Sequence, residues 1–317
     1  MKALVFDKKL SFVTDYPVPE PRKDEALIRV KKAGICNTDM EIMKGYMDYT
    51  GILGHEFTGV IEQCARKDLV GSRVAGEINI SCGSCEYCVE QVHNHCPNRS
   101  VLGILNKDGV FAEYITLPVK NLHIIPGDIT DDEAVFIEPL AAAYEILEQI
   151  KVDHSDRVCV LGDGKLGLLV GQVLSTTNCD LVVVGNHENK LALLEEQGIK
   201  TALAAVFGED GLDVVVDCSG TPVGIAKAMS IVGARGTVVL KSTTKKRGFL
   251  DLNHLIVNEI SLIGSRCGPF APAIRGIQLK NINPLPLISK RFKLEDGLEA
   301  FEYASRKGVL KVILDVS

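Results

Sequence analysis

Four cysteines crowd into fifteen residues, where the run CGSCEYCVEQVHNHC sets Cys82, Cys85, Cys88 and Cys96 apart by two, two and seven residues. Gaps of two let a tight knuckle turn neighbouring thiolates inward, and the longer gap lets the fourth close a tetrahedron around zinc at ~2.3 Å. Four thiolates leave such an ion no open position, so it would pin a loop and do no chemistry. The alternatives are His93 or His95 in place of one thiolate, an iron–sulfur cluster, or four unligated thiols.

A second set is dispersed along the chain: Gly34-Ile35-Cys36-Asn37-Thr38-Asp39, Gly54-His55-Glu56 and Ile137-Glu138-Pro139-Leu140. Taken singly, such a cysteine belongs in a core, such a histidine is a satisfied polar residue, and such a glutamate caps a helix. Together Cys36, His55 and Glu138 make a mixed sulfur, nitrogen and oxygen set, which is what a zinc with an exchangeable position needs. Thr38 stands two residues beyond the thiolate, placed to hand a proton to or from an oxygen at that metal. Asp39 and Glu56 are candidate carboxylates behind the ligands, and Glu56 could also enter the ligand set itself.

A third signal is VCVLGDGKLG, in which Gly162, Gly164 and Gly167 lie between a strand and an apolar helix that opens at Lys165 and Leu166. The first glycine makes the turn, the second admits a pyrophosphate to the backbone, and the third allows close helix packing over amides that face the anion. This is a dinucleotide site. Its second strand ends at Gly185, where NAD sites usually carry an acid for the ribose 2′-hydroxyl. With no carboxylate there to repel a 2′-phosphate, and with Asn186, His187 and Lys190 just beyond, NADP is favoured over NAD. A distal acid such as Glu188 would reverse that preference.

These residues need two kinds of scaffold. Up to about residue 125, short β-type runs at 26–30, 58–61 and 111–117 alternate with Gly, Pro, Asp and Asn turns, as in an antiparallel or barrel-like domain. From about 156 the pattern is strand, helix, strand, helix: strands at 157–161, 181–185, 212–217, 237–241 and 260–264, helices at 166–175, 188–197 and 223–232. That alternation indicates a doubly wound parallel sheet. The tail, with a helix near 294–305 and a strand at 310–316, is expected to fold back on the first domain, since a final strand needs a sheet to join. The fold class is α/β.

The chain has 317 residues, 46% hydrophobic and 24% charged, with 29 glycines, 12 prolines and no tryptophan, enough for two domains and unlike a disordered or collagenous chain. Its 35 Lys and Arg are scattered and the net charge is −6, so no basic stripe is available for nucleic acid. No apolar run approaches the roughly 18–20 residues of a membrane span, and the start MKALVFDKKL lacks a signal peptide's apolar core. A cytoplasmic protein is expected. Cys64, Cys159, Cys179, Cys218 and Cys267 have no mutual metal spacing and read as small apolar residues.

The motifs GICNTD, GHEFTGV, the four-cysteine lobe, IEPLAAAYEIL, VLGDGKLG, DVVVDCSG and GTVVLKST, in that order, make the chain resemble the zinc-containing medium-chain dehydrogenase/reductase family over essentially its whole length. The resemblance implies a GroES-like, mostly β catalytic domain (1–125, completed by 266–317) interrupted by a Rossmann domain (126–265). It also implies a catalytic zinc in the cleft between them, a second structural zinc, and homodimers or homotetramers. Cys36 and His55 fall on zinc ligands of the family. Glu138 falls where many alcohol dehydrogenases have a cysteine, which looks like the polyol, sugar and threonine dehydrogenase branch, where Glu56 can also approach the metal. Asn37 and Lys311 match basic positions that meet the cofactor's pyrophosphate, and Cys218 is counted with the cofactor contacts.

Two features depart from the family pattern. Glu41 stands where a histidine often ends the proton relay, and the chain is shorter than most members, with the shortening between Gly248 and Pro286. The implied activity is hydride transfer between a nicotinamide cofactor and a secondary alcohol, polyol or sugar. Its competitors are a zinc-independent quinone or enoyl reductase on the same scaffold and a zinc-stabilised NADP-binding protein without activity.

Overall fold

The structure, a computed structural model, describes residues 1–242 and 250–317. Thr243, the last residue of the GTVVLKST match, and Gly248, where the shortening begins, lie outside the described residues. The chain divides into two units, Met1–Glu138 with Pro284–Ser317, and Pro139–Asn283.

In the first unit, β1 (Ala3–Asp7) and β2 (Lys9–Val13) form a hairpin ahead of the long β3 (Glu25–Ile35). Ala26, Ile28 and Val30 of β3 are fully buried at every second position, the period of a strand with one face on a core. Directly after β3 come α1 (Asn37–Met43), β4 (Gly51–Ile52) and β5 (Glu56–Cys64). Next are β6 (Arg73–Gly76), β7 (Asn79–Ile80), α2 (Glu86–Val89) and β8 (Ser100–Val101). β9 (Tyr114–Pro118), β10 (Leu122–Ile124) and α3 (Asp131–Ala134) follow, and α4 (Ile137–Gln149) starts at the boundary and lies mostly in the second unit.

The second unit alternates as its sequence does. β11 (Arg157–Leu161), α5 (Lys165–Ser175), β12 (Asp180–Gly185) and α6 (Glu188–Glu195) lead to β13 (Thr201–Leu203) and β14 (Leu212–Asp217). Beyond them lie α7 (Pro222–Ile231), β15 (Val232–Leu240), α8 (Leu252–Val257), β16 (Ser261–Gly264) and α9 (Phe270–Gln278). The six strands pair in the order β13-β12-β11-β14-β15-β16, the dinucleotide-binding order 3-2-1-4-5-6. Their near-continuous apolar runs suit strands covered on both faces. The three-residue edge strand β13 is too short to carry a pattern and is absent from the sequence reading.

The tail supplies β17 (Ile288–Lys293), α10 (Gly297–Ala304) and β18 (Lys311–Asp315). β18 pairs antiparallel with β3, Val312 opposite Ile35, and parallel with β17. The first unit is thereby completed by a sheet ordered β10-β6-β5-β3-β18-β17, with β9 also on β3. The unit boundaries lie later than the sequence motifs place them. Arg73 binds Asp131 at 2.7 Å, and both Lys32 and Arg291 reach Asp132, so α3 stays with the first unit. Gly276 of α9 packs on Tyr144 of α4, so α9 stays with the second. Among the described residues no helix is long and apolar enough to cross a membrane.

Candidate active site

Asp39 assembles the first cluster. It occupies the first turn of α1, is fully buried, and accepts a hydrogen bond at Oδ2 from the Cys36 amide (2.8 Å). Its Oδ1 accepts from the Gly54 amide at 3.2 Å and lies 3.3 Å from His55 Nδ1. One carboxylate therefore fixes the start of α1 and the turn into β5. Gly54 holds that turn at φ +94°, and a Cβ there would stand 2.8 Å from the Phe111 ring. The outcome is that Cys36 Sγ, a ring nitrogen of His55 and a Glu56 carboxylate oxygen all lie within 4.8 Å of one another.

Asp39 Oδ1 stands beside Nδ1 without a hydrogen bond to it, and His55 offers one ring nitrogen to the cluster, with a carboxylate next to the imidazole. Burial works against a proton on His55, yet Asp39 and Cys36 raise its proton affinity well above the ordinary value. The Asp39 and Cys36 groups that favour a proton there would also favour a divalent cation. The donors, one thiolate, one imidazole and one carboxylate, are those of a catalytic zinc.

Glu56 has a second engagement, because its carboxylate accepts a hydrogen bond from the Lys311 ammonium, and both side chains are buried. Burial lowers the Lys311 proton affinity, while Glu56, Cys36 and Glu138 together raise it above the ordinary lysine value. Lys311, expected from the resemblance at a cofactor phosphate, is fully buried within the first unit with its ammonium on Glu56. Glu138, at the start of α4, is half-buried and acts on Lys311, but it is not among the three groups within ligand distance of one another. The geometry thus groups Glu56, rather than Glu138, with Cys36 and His55. Thr38 Oγ1 lies 3.7 Å from Cys36 Sγ. Asn37 is exposed at the first position of α1, and Glu41 pairs with Lys44 on the surface of that helix.

The second cluster is the four-cysteine lobe. Sulfur–sulfur distances are 3.9 Å for Cys82–Cys88, 3.5 Å for Cys85–Cys88, 3.6 Å for Cys85–Cys96 and 3.6 Å for Cys82–Cys96. A tetrahedron with bonds of ~2.3 Å has edges of ~3.8 Å, so the four thiols are spaced for one zinc. Crowding splits them: backbone amides at Ser84 and Cys85 pull Cys82 down to about 5, whereas burial pushes Cys85 up to about 12. A cation at the centre would let all four ionise together. His93 and His95 sit on the exposed rim of the lobe.

In the second unit, Gly162 turns at φ +120°, and a Cβ on Gly167 would fall 1.9 Å from the Gly162 carbonyl. Gly164 caps α5, and a Cβ there would meet nothing within 4 Å, which leaves the open cradle a pyrophosphate needs above the amides of Lys165 and Leu166. Cys218, buried at the end of β14, donates its amide to the Leu161 carbonyl and lies behind Gly167.

Gly185 ends β12 as expected, but the space beside it holds a carboxylate. Asp163, from the glycine-rich loop, accepts at Oδ2 from the amides of Asn186 (2.6 Å) and His187 (2.7 Å), with His187 Nδ1 at 2.9 Å. Burial would raise its proton affinity; His187 and those amides outweigh it and hold Asp163 below the usual carboxylate value. Lys190 Nζ stands 3.9 Å from Oδ1. The sequence reading passed over Asp163, and the signal available was the glycine at 185, which leaves room for another side chain. Tyr49 serves packing: its buried hydroxyl donates to the Ile52 carbonyl at 2.9 Å.

Comparison with known proteins sets these sites in context. The pattern described as an alcohol dehydrogenase GroES-like domain matches residues 22–127, and that of a zinc-binding dehydrogenase matches 166–278. The chain is 30% identical to the D-arabitol-phosphate dehydrogenase of Enterococcus avium, over 97% of this chain and 94% of that one. Two solved structures cover 99–100% of it. One is a putative zinc-binding dehydrogenase from Sinorhizobium meliloti bound to NADP, at 26% identity with a TM-score of 0.91 and 99% of its own length covered. The other is a short chain alcohol dehydrogenase from E. coli CFT073 complexed with NADH, at 27% identity with a TM-score of 0.92, also with 99% covered.

Proposed function

Because the chain belongs to the zinc-containing medium-chain dehydrogenase/reductase family, we propose that it moves a hydride between a nicotinamide dinucleotide and a polyol, sugar or other secondary alcohol. The observation that carries this reading is the convergence of Cys36, His55 and Glu56, distant in sequence, within 4.8 Å of one another. The polyol class rests on the name of the Enterococcus relative. When bound, zinc supplies Lewis acidity toward the substrate oxygen and the nicotinamide supplies the hydride acceptor or donor.

The chain's own residues do the rest. Cys36 and His55 hold the ion together with a carboxylate, from Glu56 or Glu138. Asp39, beside the His55 ring, sets the negative field around it and holds the turn that carries it. Thr38 relays the hydroxyl proton of the alcohol: on oxidation Oγ1 accepts it as its own hydroxyl proton passes on to solvent, and on reduction the transfer runs in reverse. Lys311 balances the charge of Glu56. Gly162, Gly164 and Gly167, with the first turn of α5, receive the pyrophosphate. Asn186, His187 and Lys190 flank the adenosine ribose, and the preference for NADP read from Gly185 has to contend with Asp163.

One zinc at Cys36 and one at the four-cysteine lobe complete this reading, which places the enzyme in the cytoplasm as a homodimer or homotetramer. Leu252, Ile256 and Val257, exposed along α8 beside the edge strand β16, support self-association. The test is a panel of polyols, polyol phosphates, sugars and simple secondary alcohols, followed by nicotinamide absorbance with NAD and with NADP. Turnover that Cys36→Ser abolishes is expected. No turnover on any of them, or full turnover by Cys36→Ser, overturns the reading.

A further inference from the structure

We infer that Asp163, on the glycine-rich loop, reads the 2′ position of the adenosine ribose and selects NAD over NADP. The inference rests on the dinucleotide site proposed above. In a sheet of this order, the residue that reads that position normally projects from the end of the second strand. Here the second strand is β12, and it ends in glycine. A Cβ on Gly185 would lie 2.5 Å from Asp163 Cβ and 2.6 Å from its Oδ2. The side chain that a strand-end acid would project has been replaced, in the same space, by one from the neighbouring loop, and the missing Cβ at 185 is what lets it in.

Its partners decide the sign of the preference. The amides of Asn186 and His187, the His187 ring and the Lys190 ammonium are the donors that could receive a 2′-phosphate at the start of α6. Three of the four are hydrogen-bonded to Asp163 Oδ2, and Lys190 is its ionic neighbour. An internal anion therefore already fills the anion site. Among the described residues, Oδ1 has Lys190 as its only cationic neighbour, at 3.9 Å, and keeps lone pairs for a donor. A ribose 2′-hydroxyl is a donor. A 2′-phosphate offers acceptors and negative charge to a carboxylate that is itself only 9% exposed, a like-charge contact that suppresses the wrong partner. This reverses the preference drawn from a bare Gly185.

The test measures binding of NADH and NADPH to the zinc-loaded enzyme by nicotinamide fluorescence, at one ionic strength and without substrate. The wild-type protein is expected to bind NADH at least ~10-fold more tightly than NADPH. Asp163→Asn is expected to narrow or invert that ratio by about tenfold, mainly by strengthening NADPH. The double variant Asp163→Gly/Gly185→Asp, which returns the acid to the strand end, is expected to restore the preference for NADH. Wild-type binding of NADPH as tight as that of NADH overturns the assignment. So does an Asp163→Asn that weakens both nucleotides by the same factor, the mark of a residue that only shapes the loop. Binding of neither nucleotide to the wild-type protein sinks the dehydrogenase reading as well, so the two failures are distinguishable.

Discussion

Lys311 and Glu56 are each sealed from solvent and bonded to the other, so neither is tolerable without its partner. Removing one partner of a buried pair typically costs about 3–5 kcal/mol, because the survivor is left desolvated and alone. Lys311→Met is therefore expected to destabilise the protein by about that amount in urea unfolding, and Lys311→Met/Glu56→Gln to recover much of the loss. A neutral single variant would contradict the burial of the pair. Asp39 acts on the metal through His55. Asp39→Asn keeps its size but removes the negative charge beside the His55 ring, and a zinc affinity lower by ~10–100-fold, read by competition with a chelating dye, is the expected result. The sequence placed Cys36, His55 and Glu138 as the ligand set from their types and neighbours, with Glu56 as a carboxylate behind it that could also enter. It had no means of pairing Glu56 with a lysine so far along the chain.

Elements hold these residues in place, and α3 offers the clearest handle. Burial alone would raise the proton affinity of Asp132, yet Arg291 at 2.6 Å and Lys32 at 3.0 Å bring it below the ordinary value. A carboxylate depressed in the folded state adds stability above its unfolded value, near pH 4, and loses that contribution as pH falls through its folded value. Asp132→Asn is therefore expected to lower stability by about 1 kcal/mol at neutral pH. Urea titrations in that variant should show a weaker loss below pH 4 than in the wild type. An equal penalty at every pH would mean that packing, rather than charge, joins α3 to β3 and β17. The strand–helix alternation of the second unit was legible because each strand is a nearly unbroken apolar run bounded by glycine or polar turns. β13, with three half-buried residues, was not, because three residues cannot show a period.

At the scale of the whole chain, two separate groups of candidate metal ligands among the described residues give the proposed stoichiometry a simple test. Elemental analysis is expected to find two zinc ions per chain, and one in Cys36→Ser, which stays folded but lacks turnover. Cys85→Ser is expected to retain one ion at Cys36 and to melt at a lower temperature, because a structural zinc contributes folding energy outright. One ion in the wild-type protein would leave one of the clusters without its assigned role.

Local order dictates the four-cysteine lobe, the glycine-rich turn and the parallel strands, since each depends on residues within one turn or one run and on spacings that survive any arrangement of the rest. The sequence by itself determined these, together with the family they compose. Only tertiary contact decided which carboxylate joins Cys36 and His55, what Lys311 binds, and whose acid stands beside Gly185. Each of those outcomes turns on side chains brought together by sheet order: β18 laid against β3, β5 beside β3, β12 beside β11. A one-dimensional pattern records which groups are available, while distance and burial determine which of them can share a charge.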